Sequence, residues 1–164
     1  MMNVKFVTRT AILLALTLAF QMLKLPQPFT GPAVNTMLFV STAVVGIGGG
    51  ITIGALTPWI AFINGILNPV LAPAIPFIMI GNGVLVTLFG LLKRTNIYLA
   101  IVAAALFKYI VLSTAVRFVI NVPPPVAKAL QIPQLYTALT GGVIALIVIK
   151  VLEKPLGIKE TKEK

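Results

Sequence analysis

Cysteine and histidine are absent from this 164-residue sequence, and its three acidic residues, Glu153, Glu160 and Glu163, all lie close to the C-terminus. Without thiolate or imidazole groups, the chain lacks the ligands of most zinc sites and the bases that activate most nucleophiles. Without a carboxylate in its apolar part, it also lacks the groups for paired-carboxylate catalysis and for a buried proton or sodium site. We therefore expect no enzyme activity, no metal and no cofactor, and we expect another protein to drive any transport.

A nucleotide-binding loop is also missing. The glycine-rich residues 46–50 lack the spacing and the following Lys-Ser/Thr pair of a phosphate-binding loop. Glycines instead allow the chain to reverse tightly. We predict that residues 46–50 form a turn between two helices, and that any ATP is hydrolysed by a partner.

Hydrophobic residues dominate the composition, at 59% against 10% charged residues, and the mean hydropathy is +1.06. A soluble domain needs a polar surface, so this composition indicates a chain surrounded by lipid. Residues 25–92 contain no charged side chain, which is room for three spanning helices. We predict an all-α, polytopic six-helix bundle, one domain over residues 1–164 with a charged tail from about residue 153. The predicted helices are 8–23, 33–48, 51–67, 75–92, 97–119 and 134–151.

Lysine and arginine concentrate at three helix boundaries. Such residues remain on the cytoplasmic side during membrane insertion, so they predict both termini in the cytoplasm of a multi-pass protein of the cell membrane. This arrangement accounts for the net charge of +10 better than nucleic-acid binding does, and the tail can contact anionic membrane lipid. The predicted cytoplasmic group is Lys5, Arg9, Lys93, Arg94, Lys150, Lys154, Lys159, Lys162 and Lys164, against Lys24, Arg117 and Lys128 outside.

Polar side chains gather toward the predicted outer ends of the helices. Amides and cations near hydrocarbon are costly without partners, so this gathering favours a solute pocket open to the outside, and simple interfacial placement is the alternative. The outer polar set is Gln21, Lys24, Asn35, Asn64, Asn68, Asn82, Arg117, Asn121, Gln134, Tyr136 and Thr140. As substrate-binding candidates we take Arg117, Asn121, Asn82, Asn35, Tyr136 and Lys108.

Lys108 falls near the middle of the fifth predicted helix, with no acidic residue in the spanning region to pair with it. Helix carbonyls, trapped water, loss of the proton, a partner subunit or an anionic ligand could each satisfy it. Arg117 lies nine residues on, on the opposite helix face, and shares its own face with Ser113 and Asn121. We therefore rank Arg117 above Lys108 for an outward-facing site.

Two proline-bearing segments, residues 24–32 and 121–133, join predicted helices at the outer side. Proline prevents either segment from being helical throughout, and both are expected to act as lids or as ordinary connectors. On the first predicted helix, Ala11, Ala15 and Ala19 form a small-residue stripe. Such a stripe suits close approach of another helix, either from a partner or from this chain.

The sequence resembles the substrate-binding S components of energy-coupling factor (ECF) vitamin transporters. The resemblance covers nearly the whole chain and rests on its size, six predicted helices with cytoplasmic ends, the opening Arg9-Thr10-Ala11-Ile12-Leu13-Leu14-Ala15 and the proline-bearing residues 25–32. It implies that Ala11 and Ala15, with Ala19 extending the stripe, contact a transmembrane coupling subunit. It also implies cytoplasmic ATPase subunits and a vitamin held near the outer face by the first loop and helices four to six. The first loop is expected to close over the captured vitamin, and reorientation of the bundle by the coupling subunit is expected to release it inward. A non-transporting, MreD-like membrane scaffold is the alternative.

Overall fold

The structure is a computed structural model that describes residues 4–156, and these residues form helices and turns without a strand. A 3-10 helix, Pro69–Ala74, leads into α4, and a π-helical segment, Ala115–Val119, extends α5. The all-α fold class is confirmed. Lys159, Glu160, Lys162, Glu163 and Lys164 of the predicted tail lie outside the described residues. The α-helices are α1 Val4–Met22, α2 Gln27–Val44, α3 Ile47–Ile63, α4 Ile75–Leu92, α5 Ile97–Thr114, α6 Pro124–Ala129 and α7 Ile132–Leu156.

Four helical segments of the described chain are long and apolar enough to cross a membrane, namely Val4–Met22, Pro69–Leu92, Ile97–Val119 and Pro124–Glu153. Helix α3 is also apolar but shorter. Large apolar side chains such as Ile12, Phe20 and Ile147 are exposed on the outside of the bundle, as expected for a protein solvated by lipid. These observations describe a polytopic membrane bundle, and its orientation remains a prediction.

Helix α2 forms the centre of the bundle. Its residues from Asn35 to Thr42 are all buried, and it contacts α1, α3, α4 and α7. Its polar side chains are satisfied by nearby carbonyls, as where Thr36 Oγ1 donates to the carbonyl of Gly141 on α7 at 3.0 Å. A helix buried on all sides needs such bonds because no water reaches it.

Most of the predicted helix boundaries shift by several residues, and three differences concern the predicted lids and turn. Helix α2 begins at Gln27 rather than at residue 33, because Pro28 occupies the first turn, where a helix needs no N–H donor. Of the predicted lid 24–32, only residues 24–26 remain non-helical, and the segment 121–133 contains α6. The predicted turn at residues 46–50 is confined to its start. Gly46 has φ +103°, a conformation that favours glycine, and α3 begins directly at Ile47.

Candidate functional site

A cavity of about 350 Å³ opens at one end of the bundle. Its walls come from the end of α1, the start of α2, the end of α3, the 3-10 helix, α4, α5, α6 and the start of α7. Because the ends of α1 and α3 meet the starts of α2 and α7 here, successive helices run in opposite directions. The α1–α2, α3–α4 and α5–α7 connections lie at this cavity end. The opposite end includes the α2–α3 and α4–α5 connections. In the predicted orientation the cavity end faces outward.

Lys108 lies at the inner wall of this cavity and is 3% exposed. Its Nζ donates to Asn35 Oδ1 on α2 at 2.7 Å, the one hydrogen bond found for this amine within residues 4–156. A cation at such depth costs roughly 2.5–3.5 kcal/mol on insertion scales. The neutral amide offsets part of that cost but supplies no charge, so the amine retains two donor positions beside the cavity.

Asn35 is held in one orientation by bonds on both sides of its amide. Its Nδ2 donates to the carbonyl of Gly31 at 2.9 Å and to Thr137 Oγ1 on α7 at 3.4 Å. Because both of these acceptors face the amide nitrogen, the amide oxygen faces Lys108. The Lys108–Asn35 bond thus joins α5 to the central helix.

Asn82, on α4, is 3% exposed and lines the same cavity. Its Nδ2 donates to the carbonyl of Gly54 on α3 at 2.9 Å. In a regular helix that carbonyl accepts from the N–H of residue 58, but Pro58 has none. Asn82 therefore replaces a missing backbone bond, and its Oδ1 is left buried without a hydrogen-bond partner.

Close approach of α7 to α2 forms the wall behind Asn35. A Cβ placed on Gly141 would lie 2.7 Å from the carbonyl oxygen of Pro32 and 2.8 Å from Asn35 Cβ. A Cβ placed on Gly31 would lie 2.7 Å from Thr137 Cγ2. Glycine at these two positions allows the backbones to approach closely enough for Thr137 and Asn35 to meet.

Three of the predicted site residues are brought together, and three are not. Lys108, Asn35 and Asn82 line the cavity. Arg117 and Asn121 are exposed, Tyr136 is 65% exposed, and none of the three lines the cavity. The π-helical segment explains part of this result, because its i to i+5 bond from Ile120 N–H to the Ala115 carbonyl rotates Arg117 relative to the buried Ser113.

The alanine stripe lies on the outer surface of the bundle. Ala11, Ala15 and Ala19 are all exposed, whereas Thr10 and Thr17 of the same helix are buried against α2 and α3. The described residues therefore leave the stripe uncovered, which removes the alternative that it serves packing within this chain.

A family model described as "ECF transporter, substrate-specific component" matches residues 5–153. The chain belongs to this family. It is therefore a substrate-specific membrane subunit that works with other ECF transporter subunits, and S components are binding subunits of a transporter rather than enzymes. The family match favours the S component over the MreD-like scaffold. No curated protein and no solved structure matches the chain.

Sequence reasoning did not select several polar residues of the S component's cavity, among them Thr30 and Thr57. The signal that was available lies in α3, where Pro58 leaves the Gly54 carbonyl without its helical donor. That missing donor predicts a side-chain partner from a neighbouring helix, and Asn82 is the partner found.

Proposed function

We propose that this S component captures a vitamin or similar micronutrient from outside the cell and presents it to partner subunits for ATP-driven uptake. The observation that carries the proposal is the cavity with Lys108 and Asn82 at its wall, since a buried amine and an unpartnered amide oxygen need a ligand for full satisfaction. Lys108, Asn35 and Asn82 are the proposed substrate-binding residues. Arg117, Asn121 and Tyr136 are not retained, because their side chains lie outside the cavity.

Ligand retention tests this function directly. The purified protein should be screened against the B vitamins by native mass spectrometry and by thermal unfolding in detergent. We expect one vitamin to remain bound and to raise the unfolding temperature. Failure of every vitamin to bind a folded preparation would refute the proposal.

We further propose that the alanine stripe contacts the transmembrane coupling subunit. Its exposure supports this role, because small residues on an uncovered helix allow close approach of another helix. Ala15→Trp should abolish uptake by the assembled transporter while vitamin binding by the isolated subunit is retained. Ile147→Trp is the matched control, since Ile147 is 66% exposed on α7, away from the stripe. Equal loss of uptake in both variants would contradict the assignment.

A further inference from the structure

The charge of the cavity wall bears on the chemical class of the substrate, and this step rests on the function proposed above. Lys108 is the buried cation of the wall, Lys24 is an exposed cation at the rim, and no acidic side chain of residues 4–156 lines the cavity. The acidic side chain within residues 4–156 is Glu153, near the end of α7 and at the opposite end of the bundle. A cationic group on the substrate would therefore find no counter-charge here, whereas an anionic group would find the Lys108 amine.

The number of buried charges limits the charge of the substrate. A single buried amine compensates a single negative charge, and a second negative charge in this apolar setting would be left without a partner. A carboxylate satisfies this condition because it carries one charge, whereas a phosphate monoester carries close to two at neutral pH. Since Asn35 accepts one of the three Nζ hydrogens, two remain for the carboxylate oxygens.

The unpartnered amide oxygen of Asn82 requires a second group on the substrate, in addition to the carboxylate. Its amide orientation is fixed, because Nδ2 is held by the Gly54 carbonyl, and Oδ1 is the buried amide atom without a partner. An acceptor buried in this way is satisfied by an N–H or O–H donor. The substrate therefore needs a donor as well as an acid.

The remaining residues of the cavity wall indicate what joins the carboxylate and the donor of the substrate. Aliphatic residues such as Val34, Ile78 and Leu130 lie there among glutamine and threonine side chains, and among the described residues no aromatic side chain lines the cavity. The glutamines and threonines are Gln21, Gln27, Thr30, Thr57 and Gln134. A wall without Phe, Tyr or Trp offers no ring on which a flat aromatic substrate can stack. Such a wall suits an aliphatic or saturated-ring body.

We infer that the substrate is a monocarboxylate with an aliphatic or saturated-ring body and an N–H or O–H donor, its carboxylate on Lys108 Nζ and its donor on Asn82 Oδ1. This class covers some water-soluble vitamins and excludes cationic ones and those without an acid group.

Matched pairs of acids and uncharged analogues test this inference without any mutation. Pantothenate should be compared with pantothenol, biotin with biotinamide and nicotinate with nicotinamide, and thiamine and pyridoxal 5′-phosphate should serve as the cationic and phosphate probes. We expect a carboxylate with a non-aromatic body to bind, and to bind roughly 30-fold or more tightly than its uncharged analogue, as for loss of one partner of a buried charge pair. Tighter binding of a neutral analogue, of thiamine or of the phosphate would overturn the inference.

Variants of Lys108 supply the second arm of the test. Lys108→Met should remove the preference for the acid over its uncharged analogue, and Lys108→Arg should keep part of it. Lys128→Met is the matched control, because Lys128 is an exposed lysine on α6 that does not line the cavity. Unchanged acid affinity in Lys108→Met would refute the assignment of the carboxylate. If a neutral or cationic vitamin binds, the proposed function stands and this inference fails. If no vitamin of any charge binds, the proposed function fails and this inference fails with it.

Discussion

At the cavity end of the bundle, several buried polar side-chain atoms have no hydrogen-bond partner. The three buried side-chain atoms without a partner in the described part of the chain are Gln21 Oε1, Asn82 Oδ1 and Ser113 Oγ, and all three belong to helix halves at this end. At the opposite end, Phe39 and Phe89 pack edge to face with ring centroids 4.8 Å apart, and Lys93 Nζ donates to the Thr42 carbonyl at 3.1 Å. The opposite end is thus packed and hydrogen-bonded within the chain. The cavity end retains buried polar atoms without partners, as expected where a ligand binds.

The largest expected effect concerns the side of the membrane that each end faces, because the proposed function needs the cavity end to face outward. The absence of native cysteine allows single-cysteine labelling without background. Pro125→Cys, at an exposed position on α6, should react with a membrane-impermeant maleimide in intact cells. Thr95→Cys, exposed in the α4–α5 connection, should react only after permeabilisation. The reverse pattern would contradict the orientation predicted from Lys93 and Arg94.

Forcing apart the close approach of α7 and α2 should have the next largest effect, since it disrupts the wall behind Asn35. In Gly141→Ala the new methyl group would meet the Pro32 carbonyl and the Thr36 backbone nitrogen, neither of which can rotate away. We expect the free energy of unfolding to fall by about 3 kcal/mol. The loss should appear as a lower temperature of half-aggregation in detergent. Gly83→Ala is the control, because nothing lies within 4 Å of its new methyl group. It should be neutral or stabilising by up to about 1 kcal/mol.

The bond between Asn82 and the Gly54 carbonyl can be isolated by a double-mutant cycle. Asn82→Ala should cost about 1–3 kcal/mol in stability, because it leaves a buried carbonyl without a donor. Pro58→Ala restores the N–H of residue 58, so Asn82→Ala should cost clearly less in that background. Equal costs in both backgrounds, measured by the same half-aggregation assay, would show that Asn82 does not replace the missing helical bond.

The smallest expected effect concerns Lys93, at the end opposite the cavity. Burial, and to a lesser extent the charge of Arg94, lowers the pKa of Lys93 below its usual 10.5. The protonated amine is therefore penalised in the folded state at neutral pH, and this penalty disappears as pH rises through the folded-state pKa toward the unfolded value. Wild type should gain stability relative to Lys93→Met as the pH rises toward 10.5, by less than about 1 kcal/mol because the group is partly exposed. Lys128→Met is the control for the loss of an exposed lysine.

The sequence predicted the parts of the fold that depend on local pattern. Helix α4 has the predicted bounds 75–92, and α5 with its π-helical segment spans the predicted 97–119. The predicted start of α2 at residue 33 is too late because it treats proline as a helix breaker, although Pro28 occupies a first-turn position that tolerates it.

For the candidate site, the sequence predicts some of the residues but not the contacts between them. The lack of an acidic partner for Lys108 was visible in the sequence, but its bond to Asn35 joins residues 73 positions apart and depends on how α2 packs against α5. The ranking of Arg117 above Lys108 relied on a regular helix, and the π-helical segment at residues 115–119 changes the direction of the Arg117 side chain.

The close packing of α2 and α7 also has a mechanical meaning. Where Gly141 meets the Pro32 carbonyl, the two backbones are in van der Waals contact, and Thr36 bonds one to the other. Neither helix can slide along the other without breaking that contact, so the pair acts as a stiff frame. We therefore expect any motion that admits a solute to occur on the other side of the opening, where a short turn connects α1 to α2 and the 3-10 helix Pro69–Ala74 lies between α3 and α4.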